Sequence, residues 1–411
     1  MGGGVMRHDE PGREPAPEPS SGIPASVLEN VFDDPAHGEP GRDRFAVHVV
    51  WELLLLAGLG VLAYLLWREE PAALRGDGLR SLLLDAVVLG LLALAAGLTL
   101  RTAAVNLAVG PVAVAAALHV AEQGDRGAEA AAGPALAVAA LGGLALALVV
   151  VVLHVPGWAA SLAGAAAVIV YVEQRSAAVL PQGDYDPERG ALHLFVGFAA
   201  VAVLGGLFGS VRAVRRVVGR FRPVVDPARR RGAVAAVVTS GALVGSTVLA
   251  ALAGMLTASR DIAPVAPDPG LDWTVLAVGL ALLAGTSAYG RRGGVFGTLL
   301  AVCLVTVLLA YAQARGWTVS RWAVGAVAIG VGLLVTRLVE AYGRPATGAA
   351  AEPVPAGDGR IGAGWTAPPA DPEPVGDWPP AVPRRSPESP VDPWSDPGWE
   401  NGPRRWDAGG R

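Results

Sequence analysis

Six ionisable side chains lie inside or beside long apolar runs: Glu52, Asp85, Arg101, His119, Glu173 and His193. Charge is costly at membrane depth, so each such group calls for a function or a partner. Their chemistry would be proton relay or ion and solute binding. Most sit within a turn or two of the end of their run, where a side chain reaches headgroups or water by snorkelling. Asp85 is the deepest and is expected to make an internal polar contact. Acids do not recur from run to run, as a proton relay requires. Asn106 stands apart. It lies in RTAAVNLAVGPVAVAAAL (101–118), where an amide and Gly110-Pro111 interrupt an apolar stretch. A broken helix frees backbone groups that need polar surroundings. Asn106, Gly110 and Pro111 therefore either line a path for a small solute or form a packing kink, with Asn106 hydrogen-bonded to a neighbouring helix.

Composition removes other chemistries. All 32 basic residues are arginines, so the phosphate loop that depends on a lysine is absent, as is Schiff-base chemistry. The one cysteine, Cys303, excludes a disulfide framework and a thiolate metal cluster. No nucleophile–base pair or metal-ligand spacing is visible. The sequence therefore points to no enzyme, no metal, no cofactor and no nucleic-acid partner.

The elements that must hold these residues follow from hydropathy. The chain has 411 residues, 52% of them hydrophobic and 17% charged, with a mean hydropathy of +0.45. Residues 1–44 and 345–411 hold 22 of the 33 prolines, so the stretch between them is more apolar still. A helix of roughly 20 apolar residues crosses a hydrocarbon layer of about 30 Å. Ten runs qualify as spans: 45–67, 81–100, 103–121, 134–153, 158–173, 191–211, 233–256, 272–289, 295–314 and 321–339. The third contains Gly110-Pro111 and the fifth is short, so one or both of them is expected to be broken or re-entrant. The expected fold is an all-α, polytopic transmembrane bundle of about ten spans over 45–340. Disordered tails at 1–44 and 341–411 flank it. The second tail carries Trp365, Trp378, Trp394, Trp399 and Trp406 at irregular spacing.

Arginine placement orients the bundle. Arg212, Arg215, Arg216, Arg220, Arg222, Arg229, Arg230 and Arg231 crowd one loop with a single acid, Asp226. This places the loop between spans six and seven, and both termini, in the cytoplasm of a cell-membrane protein. Anionic lipid is an alternative partner for the cluster. Nine arginines fall on the opposite side under this scheme.

Four stretches, taken in order, resemble the permease subunits of ribose-type sugar ABC transporters. LRTAAVNLAVGPVAVAAAL (100–118) is similar to the family's "GIDLSVG" segment, with Asn106 where the family has an acid. VPGWAASLAG (155–164) resembles "VPPFIVTLG". DPARRRGAVAAVVTSGALVGSTVLAALAGMLTASR (226–260) resembles "NPEAARLSGI…YVLSGLLAALAGLLLASR". LALLAGTSAYGRRGGVFGTLLAVCLV (280–305) resembles "AVVIGGTSLFGGRGSVLGTLLGALLL" and keeps Gly285-Thr286-Ser287, Arg292-Gly293-Gly294 and Gly297-Thr298-Leu299-Leu300 in register. The resemblance implies a transport subunit without its own ATPase site, importing a monosaccharide or similar small polar solute. It implies a separate ATP-binding cassette subunit docking on about 212–232, an extracytoplasmic solute-binding protein, and a second permease chain. A secondary transporter and a non-transporting membrane scaffold are the rival readings.

Overall fold

A computed structural model describes residues 45–211, 214, 233–260, 263–288 and 293–343, together with 360–361 and 365–366. The chain divides into two compact units, 1–347 and 348–411. In the second, Arg360–Ile361 and Trp365–Thr366 form a two-residue antiparallel pair, with Ile361 opposite Trp365. The 212–231 arginine cluster and most of both tails lie outside the described residues.

Each of the ten apolar runs is a helix. These are α1 (Phe45–Glu69), α2 (Gly76–Arg101), α3 (Val109–Gln123), α4 (Ala128–Val151), α5 (Gly157–Glu173), α6 (Ala191–Ser210), α7 (Ala233–Arg260), α8 (Leu271–Leu283), α9 (Gly297–Ala314) and α10 (Arg321–Gly343). Among the described residues, seven helices are long and apolar enough to cross a membrane, which fits a multi-pass membrane protein. The other three, α3, α5 and α8, have 15, 17 and 13 residues. At 1.5 Å per residue, 13 residues span only about 20 Å.

Burial ranks the helices. In its most apolar window α2 is 61% buried, against 11% for α1. Helix α2 packs on α6, α7, α8 and α9, while α7 also carries α3 and α4, and α8 pairs with α10. Their shared core joins Leu92, Leu100, Val109, Ala113, Ala250, Ala253, Ala281 and Leu282. Small residues allow the close approach that binds helices in lipid. A methyl on Gly254 would stand 1.8 Å from the Ala113 carbonyl oxygen. The outer faces of α1, α4 and α6 expose Leu53, Leu54, Val138, Leu141, Leu204 and Phe208. Apolar faces of that extent suit lipid or another membrane helix.

Ion pairs gather at one end of the bundle. Arg315 at the end of α9 meets Glu69 at the end of α1 at 2.9 Å. Arg175, just past α5, meets Glu122 of α3. Arg260, ending α7, pairs with Asp85 and donates to the Ser81 hydroxyl at 2.8 Å. Arg321, opening α10, meets Asp272 at 2.8 Å and lies over the Trp273 ring. Connecting segments close the same end, because Val179 and Val265 exchange backbone hydrogen bonds of 3.0 and 2.8 Å. Arg80 and Arg189 also have carboxylate partners, Asp77 and Asp186. Six of the nine arginines that the charge reading set opposite the basic loop are thus neutralised within the fold.

Candidate functional site

Two of the apolar runs are interrupted inside the bundle, between α2 and α3 and between α8 and α9. Both interruptions begin with the same hydrogen-bond pattern. At the end of α2 the Ala103 N–H donates to Leu100 O (3.2 Å) and the Ala104 N–H to Thr99 O (3.0 Å). At the end of α8 the Gly285 N–H donates to Leu282 O (2.9 Å) and the Thr286 N–H to Ala281 O (3.2 Å). This double bond caps a helix when the residue between is left-handed, usually glycine. Gly285 has φ +89°, as the motif requires; at the other break Ala103 takes φ +54°. An alanine held there costs about 1–2 kcal/mol.

The α2–α3 break is tied by three helices. Asn106 is 1% exposed. Its Nδ2 donates to Ser246 Oγ of α7 at 3.1 Å, and its Oδ1 accepts from the Ala108 N–H at 3.0 Å. Ser161 of α5 donates to the Val105 carbonyl at 2.8 Å. Thr274 of α8 donates to the Leu107 carbonyl (3.2 Å) while its oxygen accepts from the Gly110 N–H (3.0 Å). Gly157 and Gly110 admit the neighbouring backbones: a methyl on Gly110 would lie 1.8 Å from Gly270 O. Freed backbone groups of the unwound stretch thus find protein partners, as a non-aqueous interior demands.

The break was expected at Gly110-Pro111. It lies earlier, over Thr102–Ala108, and both Gly110 and Pro111 are buried in the first turn of α3. A proline there disturbs nothing, because the first N–H groups of a helix have no intrahelical partner. The ninth segment of the chain's apolar pattern, expected to start at 295, starts at Gly297; the eighth, expected to reach 289, stops at Leu283.

The α8–α9 break is tied from α1. Trp51 Nε1 donates to the Leu283 carbonyl at 2.8 Å, at the end of α8. The Glu52 carboxylate accepts from the Phe296 N–H at 2.6 Å, at the start of α9. Donor meets the negative helix end and carboxylate the positive one, as the helix dipoles favour. Within the break, Thr286 and Ser287 are buried. Residues 289–292, with Arg291 and Arg292, lie outside the described residues.

The other expected residues are dispersed. Glu173 and His193 are exposed. Asp85, expected to be the deepest, instead pairs with Arg260 at the end of the bundle, with its side chain 44% exposed. His119 has a buried Nε2 with no hydrogen-bond partner. The Arg175 guanidinium, hydrogen-bonded to Glu122, is held above its ordinary pKa and stays cationic. Among the described residues, no three His, Cys, Asp or Glu side chains converge to hold a metal ion. The Ser161, Ser246 and Thr274 contacts were missed from sequence; their only signal is a hydroxyl in an apolar helix, and such hydroxyls usually bond their own helix.

Compared with protein-family models, curated proteins and solved structures, the chain matches none.

Among the described residues, two cavities stand out. One, of about 640 Å³, lies between α3, α4, α5 and α7; its lining is apolar apart from His119, Tyr171 and Thr247. Thr247 already donates to its own helix. The other, of about 700 Å³, lies between α2, α4, α6 and α7, with an aliphatic floor and a mouth bearing Glu129, Gln182, Tyr185 and His193. A sugar in either body would leave most of its hydroxyls unpaired, at about 1–3 kcal/mol each.

Proposed function

We propose that this chain is the membrane-spanning subunit of an ABC importer for a monosaccharide or similar small polar solute. One observation carries the reading. The four stretches that resemble ribose-type permeases come together, although they are scattered over some 200 residues of sequence. Stretch 100–118 receives Ser161 from the second stretch and Ser246 from the third. Ala281, Leu282 and Ala288 of the fourth join the core that Leu100 and Val109 share. The first stretch and the last, the most specific of the four, also coincide with the two helix breaks.

In this reading the chain performs no covalent chemistry. A separate ATP-binding subunit docks on the arginine-rich 212–231 segment, the only strongly basic connection, and an extracytoplasmic binding protein delivers the solute at the opposite face. Both termini are cytoplasmic and the ten helices cross the cell membrane, α3 and α8 in part. In this reading the polar path runs between two copies, or between this chain and a related one; the two cavities described above are apolar and do not serve it. ATP-driven movement of 212–231 biases two arrangements of the bundle, to the extent that ATP or solute binds one of them better.

Uptake of radiolabelled ribose, galactose and a nucleoside into membrane vesicles, from cells with and without the gene, tests this. Uptake that needs internal ATP and survives collapse of the ion gradients is expected. Replacing Arg215, Arg216, Arg229 and Arg230 by glutamine is expected to abolish it while the protein stays in the membrane. Uptake that ignores ATP and collapses with the gradients contradicts the reading in favour of a secondary transporter.

A further inference from the structure

We propose that the crevice between α2, α4, α6 and α7 binds a long-chain alkylammonium, its tail in the crevice and its cation at a negatively charged mouth. The inference does not depend on the transport reading.

Shape decides the tail. The crevice holds about 700 Å³, within the range of roughly 300–1,000 Å³ usual for small-molecule sites. It is long in one direction. Its lining follows α7 from Ser259 to Leu249, which at 1.5 Å per residue is about 15 Å. Leu91, Leu94, Leu249, Leu252 and Leu256 make the floor, so an alkyl chain enters without leaving a polar group unpaired. Gly197 and Val201, both exposed, line the α6 side, and the crevice opens there toward lipid. A methyl on Gly197 would meet nothing within 4 Å.

Charge decides the head. Glu129, Gln182, Tyr185 and His193 line the mouth, and all four are exposed, within reach of a ligand. Their frame is held in place. The Gln182 N–H donates to the Ala121 carbonyl in the last turn of α3 at 3.1 Å, and Asp186 accepts from the Glu188 N–H at 2.9 Å. Gly124 packs so closely on this connection that a methyl there would lie 1.8 Å from the Gln182 carbonyl oxygen. The two segments that frame the mouth, 124–129 and 182–190, hold five carboxylates (Asp125, Glu129, Asp184, Asp186 and Glu188) against Arg126 and Arg189. Arg189 is engaged by Asp186, and among the described residues no arginine pairs with Glu129. An anionic amphiphile, or the phosphate of a phospholipid, meets net repulsion at such a mouth. A neutral one gains no charge attraction from it. An ammonium is attracted by the acids, and the half-exposed Tyr185 ring offers it a cation–π contact. An apolar helix of another chain would fill the body of the crevice and leave Glu129 unanswered.

The test uses the full chain in nanodiscs of neutral lipid, with a diazirine-bearing dodecyltrimethylammonium as photolabel, read by peptide mass spectrometry. Labelling is expected on α2, α6 and α7 around Leu94, Gly197 and Leu252. Unlabelled dodecyltrimethylammonium should compete about tenfold better than dodecyl sulfate, the worth of one attractive and one repulsive surface contact together, and added salt should narrow the gap. Glu129→Gln should weaken the ammonium about threefold and leave competition by 1-dodecanol unchanged. Gly197→Leu should abolish labelling at Leu252 with helix content and gel-filtration profile unchanged. Equal competition by the sulfate on the unmodified chain overturns the proposal. So does an ammonium affinity that Glu129→Gln leaves unchanged, or labelling spread evenly over the exposed faces of α1 and α4. Cross-linking of Gly197→Cys to a second copy, with no labelling, would assign the crevice to a helix and overturn it as well.

Discussion

The two helix breaks solve one problem with different means. Between α2 and α3 the backbone is held from the inside, by side chains of α5, α7 and α8 that are themselves buried. Between α8 and α9 it is held from the side, by Trp51 and Glu52 of α1, the least buried of the long helices. The first break tolerates an alanine in a left-handed conformation; the second uses Gly285. Strain survives where the surroundings over-determine it. Among the described contacts, the α2–α3 break is the one tied by buried side chains of three helices, and the α8–α9 break the one tied by two side chains of an outer helix.

The largest effect that separates them is steric. Gly110→Leu places a side chain on the Gly270 backbone and is expected to cost more than about 3 kcal/mol, seen as loss of folded protein from membranes. Gly97→Leu, where a methyl meets nothing within 4 Å, should be tolerated by the same assay. Next, Asn106→Ala removes two hydrogen bonds in the core and should lower stability by about 1–2 kcal/mol in a denaturant titration in detergent. If Trp51→Phe proves as costly as Asn106→Ala, the contrast between inside and side support fails; about 0.5–1.5 kcal/mol is expected for its single bond. Ala103→Gly should stabilise by up to about 1 kcal/mol, since relief of strain outweighs the added freedom of the unfolded chain. Arg315→Gln should change stability by less than about 1 kcal/mol, because both partners are well exposed.

The same contrast marks what could be read from the sequence. Helix positions were legible, because apolar runs in lipid leave the backbone no other choice. The third run was legible as broken, but its breakpoint was not. Proline signals a break only in a helix interior, and Pro111 sits in a first turn. Asn106 was legible as a polar residue needing a partner; Ser246, 140 positions away, was not. Glu52 read as a snorkelling acid near a run end, and it caps a helix that starts 245 residues later. Partners of this kind are set by how helices pack, and helix periodicity carries no information about which helix lies next to which. The exposed ion pairs were hidden for the same reason, so the charge reading counted nine arginines where the fold leaves few unneutralised.

Orientation decides most directly whether an ATPase can reach the basic segment. In a Cys303→Ser background, Arg222→Cys and Asp184→Cys variants would be treated with a membrane-impermeant maleimide in intact cells. The account predicts that the cysteine at 184 is labelled at once and the one at 222 only after the membrane is opened. Labelling at 222 in intact cells, with 184 protected, would contradict it.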